Sequence, residues 1–190
     1  MGTVYVNTFF ETRVRQLFDL AEVVDKAFSA AGIDYRVAGG LATYLYVEEA
    51  LPDAGRLTKD IDIAVRRADL ERIEAAVAPY GLKYGHTAGL DMLVQAENPS
   101  ARRAVHLLFT GERVKADSPE ATPDLGEGRT INGIRVTPIE HLVRMKLTSF
   151  RIKDQMHLKD LEEAGLITPE IERALPATLR ERLDQVIRSR

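Results

Sequence analysis

The spacing of apolar positions changes twice in the first part of the chain, and each change predicts a different element. Over residues 12–31 the apolar residues recur every three or four positions, which predicts an amphipathic helix ended by Gly32. Residues 34–38 then have the composition of a short strand. Gly39 and Gly40 follow at once, and the helical spacing returns directly after them. The sequence therefore predicts a strand, a two-glycine turn and a helix start in close succession.

The middle of the chain alternates short apolar runs with turn-forming residues, a pattern typical of an α/β or α+β fold. Its predicted elements are, in order, a loop at 51–58, a strand at 60–65, a helix at 68–80, a strand at 82–84, strands at 91–95 and 104–109, a long loop or lid at 111–133 and a strand at 134–136. The two strands on either side of Asn98-Pro99-Ser100 are expected to pair antiparallel. We expect a mixed sheet of about four or five strands flanked by helices.

Beyond Pro138 the chain has helical spacing to its end. Residues 142–164 form either one long helix or two helices broken near Lys153, and further helices follow. We therefore expect a core at residues 1–136 and a helical C-terminal part at residues 137–190 packed on it.

Composition narrows the class of protein but not its activity. An apolar fraction of 45% in 190 residues can build a core, and a net charge of −3 gives no basic bias towards nucleic acid. The absence of cysteine excludes disulfides, zinc–thiolate sites and thiol nucleophiles. No apolar run approaches a membrane span and the first residues lack a secretion signal, so we expect a cytoplasmic protein without a membrane partner.

Two carboxylates in the predicted strand at 60–65 are the first candidate for chemistry. Asp60 and Asp62 are two residues apart, so they point to one face of the strand, roughly 7 Å apart along it. Ile61 and Ile63 point the other way, towards a core. Like charges this close need a neutralising partner, and Mg²⁺ is often held by one or two carboxylates together with substrate phosphates. The pair therefore indicates a divalent-metal site, and a solvated strand edge is the plain alternative.

Gly39 and Gly40 are the second candidate, because they lie between a strand and the start of a helix. Glycine lets the backbone approach a ligand closely, and a helix N-terminus offers unpaired N–H groups to a phosphate. A simple turn is the alternative for the pair taken alone.

Taken together, these motifs resemble the nucleotidyltransferase superfamily related to DNA polymerase β. Its signature is Gly-Gly or Gly-Ser after a strand and then Asp-x-Asp on the next strand, which here are Gly39-Gly40 and Asp60-Ile61-Asp62. The segment 146–158 is similar to the branch that contains the AbiEii-type toxins of abortive-infection systems, with a Lys, an Arg and then a basic-Asp pair. His157 stands where that branch usually has Asp.

The resemblance implies transfer of a nucleoside monophosphate from a triphosphate such as ATP to an acceptor hydroxyl on a tRNA, a protein or a small molecule. It implies Mg²⁺ (or Mn²⁺) as cofactor, held by Asp60 and Asp62. The residues expected to bind the nucleotide are Gly39, Gly40, Thr43, Lys59, Lys146, Arg151 and Lys153. A toxin of a toxin–antitoxin pair, with a cognate antitoxin as partner, is a specific version of this function.

One position departs from the family pattern. The family usually has a third carboxylate before a Leu-Leu pair on a later strand, and this place is taken by His106. Three explanations stay open: His106 replaces the base, Asp91 or Glu112 supplies the carboxylate, or the site is weakened or specialised. The predicted catalytic residues are Asp60, Asp62, His106 and Lys146.

The helix after Pro138 gives a separate argument for a cleft. If that helix is continuous, one of its faces carries Lys146, Phe150, Lys153, His157 and Asp160. Polar groups within a partly apolar stripe fit a helix whose basic residues meet triphosphate oxygens. Lysines that form ion pairs at a solvated surface are the alternative.

A competing function belongs to a different class. A non-catalytic nucleotide-binding or regulatory module would keep the fold without the reaction, and His106 is the reason to consider it. The sequence leaves open the acceptor, the nucleotide preference and the oligomeric state.

Overall fold

A computed structural model of the protein describes residues 2–56, 58, 60–97, 99 and 104–188, and for residues 2–14 it describes the backbone alone. Over this part of the chain the α-helices are α1 (Gly2–Ala30), α2 (Gly39–Ala50), α3 (Leu70–Val77), α4 (Ile139–Ser149), α5 (Ile152–Glu163), α6 (Pro169–Ala174) and α7 (Ala177–Arg188). The strands are β1 (Arg36–Ala38), β2 (Ile61–Val65), β3 (Leu82–Thr87), β4 (Leu90–Gln95), β5 (Val105–Phe109), β6 (Arg129–Ile131) and β7 (Ile134–Val136).

The strands of the described residues form one mixed sheet in the order β3-β4-β5-β2-β1-β7-β6. This confirms the predicted α/β (α+β) class, but the expected four or five strands were too few. Six of these seven strands coincide with predicted strand segments, and the unpredicted one is β6, which lies within the predicted loop at 111–133 and pairs antiparallel with β7. Asn132 and Gly133 form the turn between them with φ of 49° and 79°. Asn-Gly with two positive φ angles is the preferred two-residue hairpin turn, so this strand had a signal in the sequence.

The centre of the sheet places the two motif strands side by side. β1 pairs antiparallel with β2, and β2 pairs parallel with β5 in a register that sets Asp62 opposite His106. Ile61 and Ile63 are buried as expected, with 2% and 0% of their surface exposed. The strand therefore turns its apolar side to the core and leaves its polar side for Asp62.

The helix after Pro138 is not continuous. α4 ends at Ser149, Phe150 takes a left-handed conformation with φ 49°, and α5 starts after Arg151. The break lies slightly before Lys153, and it invalidates the single face that we expected Phe150, His157 and Asp160 to share with two lysines. Asp160 instead binds Arg56, which donates through Nε at 2.9 Å.

The C-terminal helices pack on the same core as the sheet. α4 and α5 both contact α2, and α7 contacts α4 and α5. One buried cluster contains Ile63 and Val105 of the sheet together with Leu142, Leu147 and Leu158 of the helices. The predicted division at residues 136 and 137 stays a prediction. Within the described residues, no helix combines the length and the apolar character needed to cross a membrane.

Candidate active site

A cavity of about 410 Å³ opens where β2, β5, the start of α2 and the α4–α5 junction meet, with the segment 112–122 along one side. Of the residues predicted from the sequence, it brings together Gly39, Asp60, Asp62, His106, Lys146, Arg151 and Lys153. Lys59, which we expected to bind the nucleotide, lies outside the described residues. The predicted residues at the cavity contribute two carboxylates, one imidazole and three basic side chains to its wall.

Asp60 and Asp62 both border this cavity at the beginning of β2. Asp60 directly precedes the strand, and the ammonium of Lys153 lies 4.0 Å from its Oδ2. No group of three or more histidines, aspartates and glutamates in the described residues is arranged to hold a metal ion. Two carboxylates are nonetheless a donor set that fits Mg²⁺, since this ion takes hard oxygen ligands and commonly completes its shell with water and substrate phosphates.

His106 lies beside Asp62 on the neighbouring parallel strand. Its Nδ1 is 3.0 Å from Asp62 Oδ1, and since a carboxylate only accepts, Nδ1 carries the proton. This bond raises the pKa of His106 above its ordinary value. Burial acts to raise the pKa of Asp62, but the bond from His106 and the charges of Lys146 and Lys153 outweigh it and lower that pKa. Asp62 is therefore an anion, and whenever the His106 ring is neutral its basic nitrogen is Nε2.

Gly39 is the first residue of α2 and has φ of +62°. A Cβ at this position would overlap the Asp62 carboxylate, approaching its Cγ to 2.7 Å. The glycine therefore lets the helix start lie directly against Asp62.

The other two residues predicted around this turn are not at the cavity surface. A Cβ on Gly40 would meet Thr58 at 2.6 Å, so Gly40 allows close packing with the loop before β2. The hydroxyl of Thr43 is buried and donates to the carbonyl of Gly39 at 2.9 Å, within the helix. The structure therefore does not bring Gly40 and Thr43 together with the remaining predicted residues.

Lys146 enters the cavity from α4 although only 5% of its surface is exposed. Its ammonium donates to Asp154 Oδ1 at 3.2 Å and to His157 Nδ1 at 2.9 Å. Burial lowers the pKa of Lys146, and the charge of Asp154 opposes that shift. Burial, followed by the charge of Lys146, also lowers the pKa of His157 to about 4. His157 is therefore a neutral acceptor near pH 7.

Arg151 and Lys153 reach the cavity from the beginning of α5 and are more exposed, with 57% and 53% of their side chains accessible. Arg151 is anchored through Nε, which donates to Asp154 Oδ2 at 2.8 Å. Lys153 is directed towards Asp60. The two residues add positive charge beside the acidic pair.

Asp91 and Glu112, the alternative third carboxylates, also border the cavity but are engaged elsewhere. Asp91 accepts from Tyr84 and from His86 at 2.9 Å, and Glu112 accepts from Arg67 at 2.9 Å. Met92 pairs with His106, so Asp91 lies on the opposite face of the sheet from His106 and Asp62. His106 is thus the side chain that occupies the place beside Asp62.

Asp154 and Arg182 are two polar residues of this site that we did not predict. Asp154 is fully buried and accepts from Lys146 and Arg151. Its position three residues after Arg151, at the start of a helix, is the spacing of a capping box, which was a usable signal. Arg182 comes from α7 and donates to the carbonyls of Leu147 and Thr148. No local pattern in the sequence points from α7 to that contact.

No protein-family model and no curated protein matches this sequence. Among solved structures, the chain is similar to an antigenic nucleotidyltransferase-like protein from Paracoccidioides brasiliensis, with 18% identity, a TM-score of 0.57, and 93% of this chain and 89% of that chain covered. It also matches ANT(2'')-Ia in complex with adenylyl-2''-tobramycin, with 15% identity, a TM-score of 0.46, and 88% and 86% of the two chains covered. The first likeness shows a nucleotidyltransferase fold. The AbiEii-type branch stays a prediction.

Proposed function

We propose that the protein is a Mg²⁺-dependent nucleotidyltransferase, which moves a nucleoside monophosphate from a triphosphate to a hydroxyl of an acceptor. The observation that carries the proposal is that one cavity joins the acidic pair Asp60 and Asp62 to the start of α2 and to three basic side chains. Acidic and basic groups together fit a metal-bound polyphosphate, because the metal needs carboxylates and the phosphate oxygens need cations.

The backbone and the basic residues would bind the triphosphate. The N-terminus of α2, which begins at Gly39, offers N–H groups and positive dipole to phosphate oxygens. Lys146, Arg151 and Lys153 would hold the remaining oxygens, Arg151 with its planar fork and the lysines as point charges. These contacts would fix the α-phosphorus near Asp62.

Asp60 and Asp62 would hold the Mg²⁺ ion, because their oxygens are the donors that this ion prefers. When bound, the ion supplies positive charge that neutralises the triphosphate and the leaving pyrophosphate. The carboxylates must be ionised for this, and the lowered pKa of Asp62 keeps it so near neutral pH.

His106 would act as the base. Its Nδ1–H is held by Asp62, so Nε2 accepts the proton of the acceptor hydroxyl as the acceptor oxygen forms its bond to the α-phosphorus. The bond between the α-phosphorus and the pyrophosphate oxygen breaks in the same displacement, and pyrophosphate leaves. Of the three explanations for the missing carboxylate, this one is supported by the His106–Asp62 contact.

The direct test uses each nucleoside triphosphate radiolabelled at its α-phosphate. The protein is incubated with cell extract and Mg²⁺, and label is followed into the RNA, protein and metabolite fractions, which would also identify the acceptor class. We expect transfer by the native protein, loss of transfer in Asp60→Asn, and native transfer in Asp19→Asn, an exposed aspartate of α1. Label in no fraction with any triphosphate would contradict the proposal.

Two substitutions separate the roles open to His106. His106→Gln keeps a polar side chain but cannot take a proton, so we expect transfer to fall by about 10²–10⁴-fold. His106→Asp restores the carboxylate usual in the family and should regain part of the rate. Native transfer in His106→Gln would show that His106 is not the base.

A second function, a non-catalytic nucleotide-binding module, is favoured by one observation. The place of the third carboxylate holds His106, and one oxygen of Asp62 is already engaged by it. Calorimetry with each triphosphate, with and without Mg²⁺, separates the two functions. Binding without any turnover, unchanged by Asp60→Ala, would favour the module.

The toxin version of this function rests on the resemblance of segment 146–158 alone. It is tested by inducible expression in bacterial cells, where a toxin would arrest growth and Asp62→Asn would relieve the arrest. Unaffected growth would contradict the toxin role and would not affect the proposed transfer reaction. A cognate antitoxin would be sought only after growth arrest is seen.

A further inference from the structure

The carboxylate of Asp154 is the centre of the polar network below the cavity. None of its surface is exposed. Oδ1 accepts from the Lys146 ammonium at 3.2 Å, and Oδ2 accepts from the Ser149 hydroxyl at 2.7 Å and from Arg151 Nε at 2.8 Å. Oδ2 also accepts from the backbone N–H of Arg151 at 3.2 Å. One buried anion therefore fixes the two ends of the α4–α5 break and two of the three cations proposed to bind the triphosphate, Lys146 and Arg151.

Lys146 depends on this anion for its charge and direction. A buried ammonium loses its hydration, which is costly unless a carboxylate and hydrogen-bond acceptors replace the water. Asp154 supplies the opposite charge, and His157 supplies a neutral acceptor at 2.9 Å. Without the anion, Lys146 would release its proton or turn out of the site.

Arg151 is held by the same carboxylate in a different way. Asp154 binds its Nε and its backbone N–H, while 57% of the side chain stays exposed. The guanidinium is thus anchored through Nε, and the Arg151 side chain lines the cavity. Asp154 itself does not need to touch a substrate to set where both cations lie.

We propose that Asp154 is a positioning residue, which aims Lys146 and Arg151 at the triphosphate oxygens and keeps the α4–α5 junction in the shape this requires. The identity of the ligand as a triphosphate rests on the proposed function, but the arrangement of Lys146 and Arg151 is testable without it. The opposing account is that Asp154 only stabilises the fold.

The first experiment follows the amine of Lys146 and needs no nucleotide. The native protein and Asp154→Asn are treated with a small amine-acetylating reagent, and acetylation of Lys146 is quantified by mass spectrometry against the exposed Lys83. A held ammonium reacts poorly, whereas a lysine with no buried anion is more often neutral. We expect Lys146 to react about fivefold or more faster in Asp154→Asn. Equal reactivity would overturn the positioning role, whatever the function is.

The second experiment separates positioning from fold stability. Asp154→Asn should raise the KM for the transferred triphosphate by about tenfold or more, because misplaced cations bind phosphate oxygens less well. Asp154→Glu, which restores the charge, should recover part of that KM. The matched control is Asp25→Asn, which removes a carboxylate bound by Tyr35 and Arg135 outside the cavity. It should lower the melting temperature and leave KM at the native value.

The outcomes keep this inference apart from the proposed function. A native protein that transfers no nucleotide and binds no inorganic tripolyphosphate refutes the proposed function and the triphosphate part of the inference, and the Lys146 reactivity then decides the rest. Native transfer with an unchanged KM in Asp154→Asn overturns the inference alone. If Asp154→Asn does not fold, Ser149→Ala replaces it, since it removes one bond to Oδ2 and should raise KM by about two- to threefold.

Discussion

Gly39 is required both by the backbone conformation at the start of α2 and by the position of the Asp62 carboxylate. Its φ of +62° costs a residue with a Cβ about 1–2 kcal/mol, and that Cβ would also overlap the Asp62 carboxylate. We expect Gly39→Ala to displace Asp62 and to abolish nucleotide transfer, because Asp62 loses its place beside Asp60 and His106. Transfer of α-labelled nucleotide at fixed protein concentration measures this effect.

Gly81 provides the matched control for that substitution. It also has a positive φ, 73°, but a Cβ added there would meet no atom within 4 Å, and Gly81 does not line the cavity. Gly81→Ala should cost a similar backbone free energy of about 1–2 kcal/mol while transfer stays native. If both variants lose transfer equally, the loss reflects backbone strain and not the contact with Asp62.

His157 makes stability depend on pH because it is partly buried and lies beside Lys146. Its pKa falls from the ordinary 6.5 to about 4 in the folded protein, chiefly through burial. Between these values the unfolded chain binds more protons than the folded one, so the stabilising effect is complete above pH 6.5 and is lost as the pH falls towards 4. The side chain in His157→Gln cannot titrate. We therefore expect the melting temperature of this variant to fall less than that of the native protein as the pH is lowered from 6.5 towards 4.

The control for the pH experiment is another histidine paired with other groups. His86 contacts Asp91 at 2.9 Å and its side chain is 55% exposed. His86→Gln makes the same substitution away from Lys146, so a change of pH dependence seen in His157→Gln and not in His86→Gln is specific to His157. Parallel curves for the native protein and His157→Gln would show that His157 is not the group that titrates.

At the scale of elements, the break between α4 and α5 decides the shape of the site. Phe150 adopts φ 49°, which is unfavourable for an aromatic residue, so neighbours must compensate. Asp154 compensates from the buried side of the junction, where it accepts hydrogen bonds from the Ser149 hydroxyl and the Arg151 backbone N–H. Arg182 does so from α7, with bonds of 2.7 and 2.9 Å to the last carbonyls of α4 and its guanidinium 5.0 Å from the Phe150 ring centre.

We therefore expect Arg182→Ala to loosen this junction. Loss of charged hydrogen bonds to two carbonyls should lower the free energy of unfolding by about 1.5–3 kcal/mol, and hydrogen exchange should accelerate in peptides that cover residues 147–151. Arg180→Ala is the control, because Arg180 bonds in the same way to carbonyls at the end of α6. It should lose similar stability without faster exchange at 147–151. Unchanged exchange in Arg182→Ala would refute this role.

The elements that sequence reasoning found are those with local signals. The turn at Gly39 and the strand of Asp62 could be predicted because the glycine and the alternating residues are the cause of the local structure. The sequence predicts the helix break only as one of two alternatives and slightly too late, near Lys153, since Phe150 takes its conformation from a carboxylate four residues later and an arginine on another helix. The contact between Lys146 and His157 across that break could not be predicted, because the two residues meet only when α4 and α5 are packed against each other.

At the scale of the whole molecule, the cavity depends on segments that are far apart in the chain. The acidic pair comes from the centre of the sheet, the helix N-terminus at Gly39 from α2, and Lys146, Arg151 and Lys153 from helices that pack on α2. A ligand that bridges these segments binds the folded chain and not the unfolded one. Its binding free energy must therefore appear as added stability of the whole protein.

This linkage gives a prediction that needs no acceptor. At a concentration of metal-bound triphosphate one hundred times its Kd, the gain in stability is about 2.7 kcal/mol, which for a chain of this length raises the melting temperature by roughly 5–10 °C. All four common triphosphates should be scanned, with and without Mg²⁺. We expect chelation of Mg²⁺ to remove most of the shift, because the cations alone cannot offset the charge of Asp60 and Asp62 beside the phosphates.

Two variants test the role of the acidic pair in this shift. Asp62→Asn should lose the dependence on Mg²⁺, and Asp19→Asn should keep it. A shift of equal size in the presence of a chelator would mean that the triphosphate binds without the acidic pair, and the metal-dependent mechanism would then have to be abandoned even if nucleotide binding is real.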